Sequence, residues 1–209
     1  GGRPEKWDAF AARFRLSYPG VFSAVQCGML RFLKAGGIRC FALTDPARRS
    51  AEIRRCDGGT FRNGRKQYPL PGVSKSWPIG AGLLRKYPSK KRAILLCEGA
   101  SDTLAAWGAF VSYRRALPDA DKPTRRDWVP VGLLGASCRR LDPELVPWFR
   151  GRVVRVAPDG DEAGDGMAEH WRELLLDIGC TVEVLKMPRG RDLRDMLESG
   201  EIKPEELFA

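Results

Sequence analysis

Histidine is nearly missing from this sequence: His170 is the only one in 209 residues. Six cysteines occur, at 27, 40, 56, 97, 138 and 180, but none forms a C-x-x-C pair. A structural zinc site needs four closely spaced Cys or His ligands, so no zinc module is expected. The cysteines read as reduced, mostly buried thiols of a cytosolic protein. No run of about 18 apolar residues is present, which excludes a membrane-spanning helix. No charged-then-apolar signal pattern opens the chain, and no repeat or low-complexity tract interrupts it. The expectation is a cytoplasmic globular protein with no zinc and no membrane partner.

Acidic residues are scarce in the first part of the chain. Residues 1–92 carry 20 Lys and Arg against 5 Asp and Glu, whereas residues 93–209 carry 16 against 21. The net charge of +10 is therefore a basic front joined to an acidic rear. Such asymmetry points to a polyanion partner for the first part and cation binding for the second. A plain solvated basic surface is the alternative.

The periodicity predicts two helices between Trp7 and Leu33, broken at Tyr18-Pro19-Gly20 and stopped by Ala35-Gly36-Gly37. Short strands are expected at Ile38–Leu43 and Ser50–Arg55, then a turn at Asp57-Gly58-Gly59 and a small antiparallel or irregular unit from Arg62 to Gly82. The character changes near Ala93. Apolar runs at Ala93–Cys97, Val129–Leu134, Val153–Ala157 and Thr181–Lys186 read as strands. Between them lie a helix capped by Ser101, a short helix opened by Asp142-Pro143, and one after Gly164 with Met167, Trp171, Leu174 and Ile178 on one stripe. A short helix is expected at Asp192–Glu198. His170 is placed on the helix after Gly164 as a structural residue. Short buried strands alternating with helices describe an α/β fold with a parallel sheet.

Three acidic clusters each follow a strand: Glu98-Gly99-Ala100-Ser101-Asp102, Asp159-Gly160-Asp161-Glu162-Ala163-Gly164, and Gly190-Arg191-Asp192-Leu193-Arg194-Asp195. In an open parallel sheet, ligands bind beyond the carboxyl ends of the strands, so distance along the sequence does not keep these clusters apart. Carboxylates gathered there repel one another and take up protons unless a cation intervenes. Magnesium suits them, because it prefers oxygen ligands, keeps several waters and bridges to phosphates. Gly160 is expected to let the backbone turn so that Asp159 and Asp161 both face the site, and Gly99 to allow close approach beside Glu98. Singly, each piece also has a plain structural reading: Asp102 as a helix-start acid, Asp192 as a helix cap, Asp-Gly-Asp as a turn.

The segments ILLCEGASD and VRVAPDGDEAG resemble the Toprim domain, the catalytic domain of bacterial primases, type IA and type II topoisomerases and some nucleases. VPVGLLGAS resembles its intermediate strand and glycine turn, and VEVLKMPRGRDLRDML the closing strand and acidic turn of the primase branch. The resemblance covers about residues 92–200. More loosely, AEIRRCDGGTF and RKQYPLPGVSKSWPIG resemble the small N-terminal subdomain of primase cores from phages and mobile elements. The resemblance implies a Toprim-like parallel sheet flanked by helices at 92–209, preceded by a small basic α+β subdomain at 1–91. It implies Glu98 as general acid/base or metal-linked carboxylate, and Asp159 and Asp161 as principal Mg2+ (or Mn2+) ligands. Asp102 and Asp192 would complete the site, through water or a second ion, with Asp102 counted with Glu98 in the catalysis. The turn after Asp192 departs from the pattern with Leu-Arg-Asp.

The basic part would then supply a template groove, with Arg54, Arg55, Arg62, Arg65, Lys66, Lys75 and Trp77 as candidates. Lys and Arg neutralise phosphates, and an aromatic ring stacks on an unpaired base. For Trp77, core packing competes with stacking. The implied function is primer synthesis on single-stranded DNA from nucleoside triphosphates, with a helicase or other replication protein as partner. A Toprim nuclease and a non-catalytic nucleic-acid-binding module are the alternatives.

Overall fold

Gly28 decides the layout of the first part. The computed structural model describes residues 4–14, 16–86, 92–119 and 127–208. Helix α1 spans Pro4–Arg13 and α2 spans Tyr18–Gln26. Tyr18-Pro19-Gly20, expected to be the break, is instead the first turn of α2: Ser17 Oγ accepts the Gly20 N–H, and Pro19 needs no donor there. Helix α2 stops at Gln26 because Gly28 takes a left-handed conformation, φ 82°. The next segment is strand β1 (Leu30–Ala35), not a helix running to Leu33. Gly36 and Gly37, both at positive φ, form the two-residue turn of a hairpin into β2 (Ile38–Thr44), not a helix stop. The spacing of Met29, Phe32 and Leu33 fits either element, and cross-strand pairing such as Phe32 with Phe41 decides for the strand. Strands β3 (Ala51–Arg55) and β4 (Gln67–Pro69) complete an antiparallel meander in the order β1-β2-β3-β4. Phe10 of α1 and Phe14 just after it pack edge-on over Phe41.

After the short α3 (Gly82–Lys86), the period changes. Strands β5 (Ala93–Cys97), β6 (Trp128–Gly132), β7 (Val153–Ala157) and β8 (Thr181–Val184) form a parallel sheet in the order β6-β5-β7-β8. Strand β5 is buried along its whole length, as a strand covered on both faces must be. Helices α4 (Ala100–Ala116), α5 (Val146–Phe149), α6 (Glu162–Asp177) and α7 (Leu193–Ser199) accompany the strands. Gly99, not Ser101, is the N-cap of α4, without a side-chain bond, and Asp161 rather than Gly164 opens α6. A final helix, α8 (Pro204–Phe208), has no counterpart in the sequence reading and seats Phe208 against Phe110 and Trp128.

The two sheets share contacts at defined points. A side chain on Gly20 would run into the Gly108 Cα, so α2 and α4 touch backbone to backbone, and Ser17 Oγ donates to the Gly108 carbonyl. Ile79 and Gly132 exchange both backbone hydrogen bonds, at 2.7 and 2.9 Å. One apolar cluster includes Phe10, Phe41, Trp77 and Ile79 together with Leu96, Leu104, Val131 and Val156. Residues 87–91, before the boundary expected from the sequence, lie outside the described residues. Among those described, no helix is long and apolar enough to cross a membrane.

Candidate active site

Two neighbouring parallel strands bring the first two acidic clusters together. Cys97 of β5 pairs with Ala157 of β7, so the residues that follow leave the sheet side by side. Glu98 donates its N–H to the Ala157 carbonyl, and the Asp159 N–H donates to Glu98 Oε2 at 3.0 Å. The third cluster is fastened to the second by backbone: the Gly160 N–H donates to Arg191 O at 2.7 Å, and the Gly190 N–H to Gly160 O at 2.8 Å. Gly160 has no positive φ, and its freedom to turn is not what matters. A Cβ there would collide with the Pro188 carbonyl, so the glycine permits this close approach of two loops. At Gly99 a Cβ would stand 2.9 Å from Asp102 Oδ2, so that glycine leaves room for a carboxylate.

Glu98, Asp102, Asp159 and Asp192 line one cleft of about 410 Å³ together with Arg54, Arg55, Lys66, Phe14, Gly135 and Arg194. Asp102 is buried in the first turn of α4, and its Oδ1 has no hydrogen-bond partner. Burial first, then the charges of Asp192 and Asp159, push its carboxyl up to about 7. Asp159 is raised to about 6 by burial and by Glu98, Asp192, Asp161 and Asp195. Glu98 is raised by burial and by Asp161, against the relief of the Asp159 N–H and Arg139. Asp161 and Asp192 are helix N-caps: Asp161 Oδ1 accepts the Gly164 N–H at 2.8 Å, and Asp192 Oδ1 the Asp195 N–H at 2.7 Å. Asp161 is exposed and is not among the residues lining the cleft.

Among the described residues, no three Asp, Glu, Cys or His side chains are already gathered as a cation cage. The donor set nevertheless suits a hard divalent ion. It is all oxygen, one buried oxygen is unpaired, and two carboxyls are raised toward neutrality by burial and, after it, by neighbouring acids. Asp102 and Asp159 hold their protons more tightly folded than unfolded, so the folded chain binds more protons between about pH 4 and 7. Stability in EDTA is therefore expected to fall as pH rises through that window. Melting curves across pH should show a shallower fall for Asp102→Asn.

The basic candidates divide. Arg54 pairs through Nε with the buried Glu52 at 2.9 Å. Arg55 is pinned by Asp57 and by the Thr60 carbonyl, and this pairing holds the Asp57 carboxyl well below the usual range. Lys66 is exposed beside them in the cleft. Arg62, Arg65 and Lys75 are exposed but lie outside the cleft lining. Trp77 corrects the expectation of a stacking platform. It is 2% exposed, meets Trp148 edge-on, and carries the Arg49 guanidinium 4.6 Å above its ring. The nearby Ile79–Gly132 bridge anchors its segment against β6, so no face is offered to a base. Trp77→Ala should cost about 3–5 kcal/mol of stability in denaturant unfolding. Oligonucleotide affinity at a temperature where the variant stays folded should be unchanged.

Arg194, Phe14 and Gly135 also line the cleft, though none stands out as a site residue in the sequence. The nearest to a signal is that Arg194 stands two residues after Asp192. His170 bonds the Arg139 carbonyl through Nε2 at 2.7 Å, in keeping with a structural place.

Residues 95–197 match the model of a family described as Toprim-like. No curated protein matches the chain. A DnaG primase catalytic domain bound to ssDNA is similar over 95% of this chain and 68% of its own, at 18% identity and TM-score 0.58. The Aquifex aeolicus primase, in its zinc-binding and RNA polymerase domains, is similar over 95% of this chain and 50% of its own, at 18% identity and TM-score 0.55. A DNA primase domain from Pseudomonas aeruginosa gives 20% identity and TM-score 0.52, over 87% of this chain and 55% of its own. The chain thus spans about half the length of the last two. Taken with the order of its strands and acids, residues 95–197 form a Toprim-like domain, set in a chain that shares the fold of primase catalytic cores.

Proposed function

We propose that this chain is a primase-like, metal-dependent nucleotidyltransferase that makes primers on single-stranded DNA, in phage or mobile-element replication. One observation carries the reading: acids from three separate segments line the same cleft as Arg54, Arg55 and Lys66. A cleft with both signs of charge suits a polyanion reacting at a cation. Glu98, Asp159 and Asp161 would hold Mg2+ or Mn2+, with Asp102 and Asp192 lining the same cleft as Glu98 and Asp159. When bound, such an ion supplies stabilisation of the negative charge developing on a transferring phosphoryl group.

The chain's own groups do the remaining work. Arg54, Arg55 and Lys66 bind the phosphates of template and nucleotide. Glu98 Oε2 is engaged by the Asp159 N–H, which orients the carboxylate and leaves Oε1 to take the proton of the attacking 3′-hydroxyl. The 3′-oxygen joins the α-phosphate as pyrophosphate leaves. Asp102, with its carboxyl near 7, can hold a proton beside the reacting groups. A helicase or another replication protein is the expected partner.

The test is incorporation of labelled nucleotides on a single-stranded template with Mg2+ or Mn2+, and its loss in EDTA. Plasmid cleavage without added nucleotides would mark a nuclease instead. The lack of a preassembled three-group cage among the described residues favours a second reading, a binding module. Template binding that survives chelation, with no turnover, would establish that reading.

A further inference from the structure

Of the basic residues lining the cleft, Arg194 comes from the same turn as one of its acids, Asp192. Arg194 lies in the first turn of α7, with its Nη2 3.8 Å from Asp192 Oδ2 and its Nε 3.6 Å from Glu198 Oε1. Its backbone N–H donates to the Asp102 carboxylate, and its charge eases that group's ionisation. Its side chain also borders the small gap where Phe14, Phe41 and Arg54 of the first part meet Ser101 and Leu104 of α4. Asp192 is therefore engaged at both oxygens: Oδ1 by the Asp195 N–H, and Oδ2 by this guanidinium. Asp102 Oδ1, by contrast, has no partner. A fixed positive charge about 4 Å from a carboxylate in a half-solvated cleft competes directly with a divalent ion for it.

We propose that Arg194 is a positioning residue that serves as the built-in counter-ion of Asp192, keeping that carboxylate out of the cation's ligand set and leaving the ion to the Glu98–Asp159 side of the cleft. This rests on the acidic cleft being the cation site proposed above. Arg194 then sets how many ions the cleft takes and how tightly, and holds α7 against α4 while no ion is bound.

The test is Mn2+ titration by calorimetry, with bound Mn2+ counted by electron paramagnetic resonance, and melting in EDTA. Asp159→Asn should abolish binding, while Asp192→Asn should change affinity by less than about threefold, because that carboxylate is not a ligand. Arg194→Met should tighten Mn2+ binding about tenfold and lower the melting temperature in EDTA, with Mn2+ restoring it. Arg194→Lys, which keeps the charge, should stay within about threefold of the natural protein. The proposal is overturned if Asp192→Asn weakens binding as much as Asp159→Asn, or if Arg194→Met binds no more tightly than the natural protein. If the natural protein binds no Mn2+, the reading of the cleft as its cation site falls. A gain of binding in Arg194→Met would then still support the counter-ion role, and none would overturn it.

Discussion

Asp159→Asn is expected to reduce metal-dependent nucleotide incorporation roughly a hundred- to a thousandfold, the usual cost of deleting one preorganised charge from a site of this kind. The substitution keeps the shape and the backbone N–H that bonds Glu98 Oε2. It removes a carboxylate that the charges of Glu98, Asp192, Asp161 and Asp195 all disfavour. Activity should therefore collapse while the melting temperature in EDTA holds or rises, because a repulsive charge has gone. Glu98→Gln should behave alike, since a glutamine oxygen still accepts the Asp159 N–H but cannot take a proton at neutral pH. Steady-state incorporation and melting curves on the same preparations separate a lost site from a lost fold. Full activity in both variants would end the case for a catalytic metal cleft.

Gly160→Val is expected to damage the fold and the site together. Its Cβ would strike the Pro188 carbonyl and lie 3.0 Å from Arg191 O. Those backbone atoms cannot rotate away as a flexible side chain could, so the two loops must part. Parting breaks the hydrogen bonds between Gly160 and Arg191 and between Gly190 and Gly160. Overpacking of this kind costs about 1–3 kcal/mol or more, and each lost backbone bond adds about 1. The loss should show as a lower denaturant midpoint and as weaker Mn2+ binding, because the displaced turn carries Asp159 away from Glu98. Gly166→Ala in α6 is the control: its Cβ meets only the Arg139 guanidinium, at 3.7 Å. Helix propensity should then leave it neutral or more stable by up to about 1 kcal/mol.

The rear of the chain was more legible than the front, for a physical reason. Strands β5 and β7 match the expected runs residue for residue: β5, buried on both faces, is continuously apolar, and β7 is apolar but for Arg155, which pairs with Glu183. The acids after them stand out because nothing about packing requires charge there. In the front part, the stretch Met29–Leu33 carries apolar residues that suit a helix stripe and a hairpin strand equally well. The choice fell to the left-handed Gly28 and to pairing with β2, and the pairing is not local. Trp77 was open between two places for a similar reason. An aromatic ring among Lys, Pro and Ser suits core packing or base stacking, and the bridge between Ile79 and Gly132 is what draws its segment into the core.

From residue order alone came the α/β pattern, the three acidic turns at strand ends and the basic front, because periodicity and charge are written locally. Tertiary structure decided that Glu98 meets Asp159 through a hydrogen bond, that Gly160 brings Pro188 and Arg191 close, and that Arg194 enters the acids' cleft. Each of those depends on which backbone atoms lie within a few ångströms across dozens of residues. Only the packing of β5 beside β7, and of the loops beyond them, sets that distance.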